Sequence, residues 1–590
     1  MLFSLLVVLF AWPALAATSV PATLPAVRDN FCDTWVATDA LGRTLPTARE
    51  VGPPRAERFI GMFYFLWHDA SEKEGPFDVS KILAADPDAL AKNTAPPWGP
   101  LTKFHHWGEP LFGYYLADDP WVLRKHAQML ADAGVDVIIF DTSNKLTYRR
   151  NYMALLGVFD RIRKEGNRTP QVAFLTPFWD PKSTVAQLYE ELYSQHLYEH
   201  LWFRWEGKPL ILADPDKVEP SVRDFFTFRA PQPDYFQGPT RKDQWSWLEV
   251  YPQHLFQNAG GENEQMSVGV GQNAVGNRLG SMSEPGARGR SFYSGRTDGS
   301  PDAVLHGHNF AEQFKHALKA DPKFLFITGW NEWIAGRFPE FNRVKGNMFV
   351  DQYDQEHSRD IEPMKGGHGD NYYYQLVAFV RRHKGARSMP ATSSPKTIDI
   401  DGGFGQWADV SARYIDDAGD TAHRDHAGFA NAGRYTNNTG RNDIVEARVA
   451  HDQTNLYFYV KTKSPISPGS DDRWMTLFIN SDRDANTGWH GYDAVVHRTR
   501  SRDGNSMLEG TKSGWNWQPA GVTAYRRVEA NQMMLAVPRA AVGLSDTGKP
   551  LSLEFKWADN FHQDDSIDAF TLYGDAAPPG RFNYLYQSSP

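Results

Sequence analysis

A (β/α)₈ barrel of the TIM type, followed by an all-β sandwich, is the fold class the sequence predicts. Three observations predict it. Over residues 56–385, short apolar runs that end in polar or acidic residues alternate with helical patterns. Residues 386–396, rich in Pro and Ser, then break the rhythm as a linker. Beyond it, residues 397–590 carry only short strand-like runs separated by turns.

Residues 58–67 read as the first buried strand and end at Trp67-His68-Asp69. Asp119-Pro120 is a helix cap followed by proline at the first helical position, and Gly134 closes that helix. Residues 135–140 form the second strand, with Asp141 at its tip, and a helix over 149–165 follows. The third strand, 172–176, leads to Phe178-Trp179-Asp180 and a helix over 183–200. Residues 209–213, with Asp214 beyond them, are the fourth strand. Residues 225–228, 245–250 and 266–270 are the next three, and the helices between them are short or absent. Glu249 and Tyr251 fall at the end of the sixth; Gln272 and Asn273 fall at the end of the seventh. Ser300-Pro301 opens a helix to about residue 320. The eighth strand is Phe324-Leu-Phe-Ile-Thr, and a helix over 371–384 ends at Gly385. Past the linker, strands are expected at 444–450, 455–462, 474–479, 494–497, 532–537 and 551–556.

The 590 residues are 41% hydrophobic and 23% charged, an ordinary globular balance. A net charge of −9, spread without basic runs, gives no footprint for nucleic acid. Residues 1–16 have an apolar stretch and an Ala-Leu-Ala cleavage pattern, the form of a secretory leader too short to span a bilayer. Residues 17–55 read as an extension that wraps the first domain. One cysteine, Cys32, excludes an internal disulfide. The expectation is a bacterial protein, secreted or periplasmic, with no membrane insertion after the leader is removed.

The eighth strand delivers Trp330-Asn331-Glu332-Trp333 to its C-terminal end, which in a barrel is the catalytic face. His68, Asp141, Trp179, Asp180, Asp214, Glu249, Tyr251, Gln272 and Asn273 sit at the ends of other strands and converge on the same mouth. Paired carboxylates there divide into a proton donor and a base or nucleophile, the requirement of glycosidic cleavage. Tryptophan faces suit sugar rings. The catalytic candidates are Glu332, Asp141 and Glu249. The substrate-binding candidates are Trp330, Asn331, Trp333, His68, Trp179, Tyr251 and Asn273. Each has a plainer reading: Asp141 as the cap of the turn after it, Glu249 as an outward group, the tryptophans as core. The acidic run Asp351, Asp354, Glu356, Asp360 and Glu362 is either a solvated loop or part of the site.

Gly329-Trp-Asn-Glu-Trp-Ile-Ala-Gly336 resembles the Trp-Asn-Glu-Trp-x-Glu-Gly signature of glycoside hydrolase family 99-like proteins. The resemblance covers residues 55–385. It matches Glu332 to the first glutamate and puts Ala335 where the family has its second, the acid/base. That role is either vacant or supplied by another acid, Asp141, Glu249 or Glu340, with Asp141 favoured over Glu249, and mannosidase specificity is not implied. In the C-terminal domain, Ile400-Asp-Gly402, Thr439-Gly-Arg-Asn-Asp443 and Asn455-Leu-Tyr-Phe-Tyr459 are similar to carbohydrate-binding module family 9 and DOMON-type sandwiches. Asp482, Asp484 and Asn486 alternate before Gly488, with Asp493 beyond. That is the ligand pattern of a structural calcium loop and equally of a polar hairpin turn. Trp489, Trp515 and Trp517 are candidates for sugar stacking there or for core.

The sequence therefore predicts a glycoside hydrolase acting on a polysaccharide or oligosaccharide, with no catalytic cofactor. A non-catalytic carbohydrate-binding protein and a polysaccharide lyase are the alternatives.

Overall fold

The computed structural model describes residues 24–588, apart from 93–96, 391, 393, 470, 501–504, 547 and 562–565. The expected leader, residues 1–16, lies outside the described residues, as does the start of the extension. The parallel strands are β1 (Phe59–Tyr64), β2 (Val137–Asp141), β3 (Gln171–Leu175), β4 (Lys208–Leu212), β5 (Thr227–Phe228), β6 (Gln244–Ser246), β7 (Asn263–Gly269) and β8 (Phe324–Thr328). β7, β8, β1, β2, β3, β4 and β5 pair in that order, each parallel to the next. Just past β5, Ala230–Gln232 pairs in parallel with β6. Among the described residues no ladder joins β6 to β7. The side chain of Gln265 on β7 stands in for it: Oε1 accepts from Ser246 N (3.0 Å) and Nε2 donates to Ser246 O (2.9 Å).

Alternation along each strand sorts the side chains onto two faces. Phe63, Val137, Ile139, Ala173, Leu175, Leu210, Leu212, Trp245, Phe324 and Phe326 meet in one buried cluster that the strands enclose. Their neighbours Ile60, Met62, Ile138, Phe140, Val172, Phe174, Ile211, Met266, Leu325 and Ile327 face outward into another. There they meet helices α1 (Pro120–Asp132), α2 (Arg149–Lys164), α4 (His308–Ala320) and α5 (Asn371–Lys384) through Leu123, Phe159, Phe314 and Val377. Fully burying such a side chain contributes about 1.5–3 kcal/mol. α1 starts where expected, because Asp119 accepts from Trp121 N and Val122 N at 3.0 and 3.4 Å.

Three elements differ from expectation. The helix after β3 is α3 (Lys182–Leu188), which loosens into a π-helical turn at Tyr189–Tyr193. β6 stops at Ser246, so 247–250 are not strand. The stretch after β8 is not simply a loop. It includes the hairpin β9 (Ile334–Phe341) and β10 (Val344–Phe349), turned by Asn342 and Arg343 with φ 46° and 70°. Two positive-φ residues give the turn that matches strand twist, and asparagine tolerates it best.

The strand ladders of the C-terminal region are antiparallel. Its strands are β11 (Arg413–Ile415), β12 (Ile444–His451), β13 (Asn455–Thr462), β14 (Thr476–Asn480), β15 (Ala494–Arg500), β16 (Ser506–Gly510), β17 (Gln518–Glu529), β18 (Gln532–Pro538), β19 (Ser552–Asp559), β20 (Asp575–Ala577) and β21 (Tyr584–Gln587). They pair in the order β11-β12-β13-β18-β17-β16-β15-β14-β19-β20, with β21 also on β19. β17 bonds to β16 through its first half and to β18 through its second. The ladder folds over, so that Phe458 of β13 packs on Phe555 of β19 at 5.5 Å.

The two regions are held by more than the linker. Trp35 of the N-terminal extension packs on Phe582 and Tyr584 at 5.3 and 5.9 Å, and Val36 pairs with Asn583. Arg381 of α5 donates to the carbonyls of Cys32 (2.9 Å) and Trp35 (2.8 Å). Arg424 reaches across to the buried cap Asp119 at 2.8 Å, and Arg581 reaches Asp370 at 2.6 Å. Among the described residues no helix is long and apolar enough to cross a membrane.

Candidate functional site

A cavity of about 200 Å³ opens at the C-terminal ends of the parallel strands. Phe63, Phe65 and Trp67 line it from β1, Asp141, Ser143 and Asn144 from β2, Leu175 and Phe178 from β3, Trp247 from β6 and Glu332 from β8. Asp351 and Arg359 complete it from the segment after β10. The acidic stretch is therefore no solvated loop: Asp360 and Glu362 within it are fully buried.

Glu332 is 1% exposed. Its backbone N–H donates to Asp360 Oδ1 (2.7 Å), which fixes the chain where it leaves β8. Its Oε2 accepts from Arg359 Nε (3.0 Å) and Gln352 Nε2 (2.8 Å), and Arg359 Nη2 stands 2.9 Å away. Oε1 has no hydrogen-bond partner among the described residues. Burial pushes the Glu332 carboxyl well above the ordinary range; Arg359 opposes the push, and Asp351 and Asp360 add to it. Arg359 also stands 3.3 Å from Asp351. One guanidinium thus faces two carboxyls and neutralises one.

Asp141 ends β2, 7% exposed. Its Oδ1 accepts from Ser143 N at 2.9 Å, the turn cap read as its plainer role, yet its carboxyl also lines the cavity. Burial raises it, and the Ser143 hydrogen bonds oppose that. Trp179 is 72% exposed and does not line the cavity, but it packs at 5.8 Å beside Phe178, which does.

The structure does not bring the other candidates to the cavity. Glu249 accepts from His254 N (3.0 Å) and pairs with His254 Nδ1 (2.8 Å), closing the turn that follows β6. Because β6 ends at Ser246, Trp247 takes the wall position instead. Tyr251, in the same turn, lies against His316 of α4. Trp330 is buried against His126 and Tyr373. Trp333 is buried and stacked on Trp107 at 4.4 Å, its Nε1 donating to Glu362 Oε2 at 2.5 Å. Neither indole has a face left for sugar. Asn331 zips the motif to β1: Oδ1 accepts from Phe65 N (2.9 Å) and Nδ2 donates to Phe65 O (3.2 Å). His68 is buried beside Tyr115 and His106, and burial lowers its pKa to about 3. Asn273 holds Tyr235 OH at 2.9 Å and contacts Arg359 at 3.5 Å, behind the wall. Ala335 lies in β9 opposite His105 of the short strand Phe104–His106, away from the cavity lining.

In the C-terminal region, Trp489 and Trp517 are buried with Phe478 and Phe570, and Trp515 packs against them. These indoles are core rather than a platform. Asp482 and Asp493 both lie 3.0–3.2 Å from the Thr487 hydroxyl oxygen, in a turn with the exposed Asp484 and Asn486.

Sequence reasoning missed Arg359, Gln352 and Trp247. A signal for Arg359 was present: it is the one Lys or Arg among the acids of residues 351–362.

No family model matches the sequence, and no curated protein matches it. Among solved structures, two of the family GH99 endo-α-mannosidase from Bacteroides thetaiotaomicron align with it. One, in complex with Bis-Tris propane, shares 15% identity over 55% of this chain and 97% of its own, at a TM-score of 0.32. The other shares 16% over 56% and 99%, at 0.33.

Proposed function

We propose that the chain is a glycoside hydrolase whose parallel strands form a (β/α)₈ barrel, closed between β6 and β7 by the Gln265 side chain. The observation that carries this is the pair Glu332 and Asp141, two buried carboxyls from different strand ends lining one aromatic-walled cavity. Glycosidic cleavage needs one carboxyl that keeps its proton for the leaving oxygen and one that is ionised to attack or to activate water. Glu332 is the more buried and shares Arg359 with Asp351, so it is assigned as the donor, from Oε1. Asp141 is assigned as nucleophile or base. This reverses the role expected from the motif, where the vacancy at Ala335 had sent the donor to Asp141. Trp179 and Trp247 supply flat apolar faces for sugar rings. The C-terminal sandwich acts chiefly as a brace for the barrel.

The experiment is turnover of the full chain on a panel of polysaccharides, read as reducing ends, with pH–rate profiles of wild type, Glu332→Gln and Asp141→Asn. The assignment expects Glu332→Gln to lose the alkaline limb and Asp141→Asn the acid limb. Binding of a glycan without release of reducing ends by wild type would replace it with a non-catalytic carbohydrate-binding protein. An unsaturated, ultraviolet-absorbing product would make the chain a lyase.

A further inference from the structure

A second cluster of acids lies far from the cavity residues, where α1 meets the C-terminal sheet. Asp416 follows β11, Asp420 ends the same turn and Asp575 opens β20. Each offers a carboxylate oxygen, and these lie within 4.8 Å of one another. All three residues are buried; Asp416 is 1% exposed, and neither of its oxygens has a hydrogen-bond partner. Asp420 Oδ1 is equally without one, while its Oδ2 accepts from Gln128 of α1 at 2.9 Å. Asp575 Oδ2 accepts from Ile444 N at 2.6 Å.

The Lys125 charge acts on all three aspartates through space, but no cation forms an ion pair with them among the described residues. The Lys556 amine donates to the carbonyls of Pro578 and Phe582. Arg124 pairs with Glu165, and Lys125 lies over the Trp121 ring at 5.6 Å. Buried carboxylates without a hydrogen-bonded cation are costly to keep ionised. Oxygens bound to one calcium ion, each 2.3–2.6 Å from it, lie no more than about 5 Å apart, and these three fall within that limit. An all-carboxylate set favours such a hard cation over softer metals.

We propose that Asp416, Asp420 and Asp575 bind a divalent cation of the calcium class, which ties the C-terminal sheet to α1. The loop that carries it is already clamped to the first region: Asn167 donates to Ala418 O (2.7 Å) and accepts from Ala418 N (3.1 Å). The ion completes that joint through Asp420 and Gln128. It is distinct from the 482–493 turn, whose acids accept from Thr487, Asn486 and Ser481.

The test uses the full chain stripped with a chelator and titrated with calcium chloride, read by calorimetry and thermal unfolding. One equivalent is expected to bind and to raise the unfolding midpoint by several degrees. Terbium should bind in the same place and be displaced by calcium. Asp416→Asn/Asp575→Asn should abolish the response, whereas Asp482→Asn/Asp484→Asn should keep it. If the first variant does not accumulate, Asp416→Asn alone decides, with calcium affinity expected to fall at least tenfold. The proposal is overturned by no calcium response in wild type, by a response that survives the Asp416 variants, or by one lost with the 482/484 pair. A chelator-insensitive protein that gains stability from Asp416→Asn would show protonated carboxyls instead.

Discussion

Arg359 Nε donates to Glu332 Oε2 at 3.0 Å, while Nη2 of the same guanidinium stands 2.9 Å from that oxygen and 3.3 Å from Asp351. Both planar donors thus meet one oxygen of the Glu332 carboxyl, and the other oxygen has no hydrogen-bond partner among the described residues. Removing the titratable group should be severe. Glu332→Gln is expected to lower kcat about 10²–10⁴-fold with unchanged circular dichroism, the usual worth of a general acid. A variant within tenfold of wild type would exclude Glu332 from the chemistry.

Arg359 also tunes its partner. A positive charge favours the carboxylate, so its loss favours the protonated form and raises the Glu332 pKa. In Arg359→Met the alkaline limb of the pH–rate profile should therefore move to higher pH, measured on the best polysaccharide substrate. A shift to lower pH would place the limb on another group.

Trp179 contributes exposed surface and little packing. Trp179→Ala should raise KM about tenfold, the scale of one lost ring contact, with kcat and the unfolding midpoint nearly unchanged. A drop in the midpoint by several degrees would make it a structural residue.

His383 of α5 supplies a pH test of stability. Burial first, and the neighbouring Arg58 charge next, lower its pKa to about 3, against 6.5 when unfolded. Between those values the unfolded chain binds the extra proton, so the stability this residue contributes falls as pH falls below 6.5. From pH 6.5 to pH 5 the loss is about 2 kcal/mol. Urea midpoints of His383→Phe should accordingly vary less between pH 7 and pH 5 than those of wild type, and equal variation would refute the shift.

The joint between the regions makes a further prediction. A linker over residues 386–396 would by itself let the two units part when cut. The Arg424–Asp119 pair and the Trp35 contacts argue otherwise. After proteolysis in the linker the fragments should co-elute on size exclusion, and Arg424→Ala should destabilise the chain by about 3–5 kcal/mol by stranding Asp119. Fragments that separate freely would show the joint to be weak.

What could be read from the sequence follows from which forces are local. β8 announced itself because its four apolar residues and Thr328 are buried on both faces, and α1 because Asp119-Pro120 is a cap written in adjacent letters. Asp141 and Glu332 were found because they end such strands. Trp330 and Trp333 misled because a strand's alternation stops at its last residue; past Thr328 the chain bends inward and both indoles turn into the core. Glu249 was misplaced by a strand end set a few residues late. Arg359, Asp351 and Gln352 reach the cavity from a segment with no periodicity, so only the isolated cation among acids marked them. The aspartates at 416, 420 and 575 come together where the sheet folds over, with no ladder between β11 and β20 among the described residues, and no spacing in the chain encodes that meeting.

The Trp35–Phe582 contact bears on the order in which the molecule can be finished. Trp35 is among the first of these residues to be synthesised, and its aromatic partners, Phe582 and Tyr584, are among the last. Until they emerge, Trp35 has only the α5 side of its seat, with Arg381 holding its carbonyl. The strap laid down at the beginning is thus locked by the final strand, and a chain truncated shortly before residue 582 would keep nearly all its domains yet leave this buckle undone.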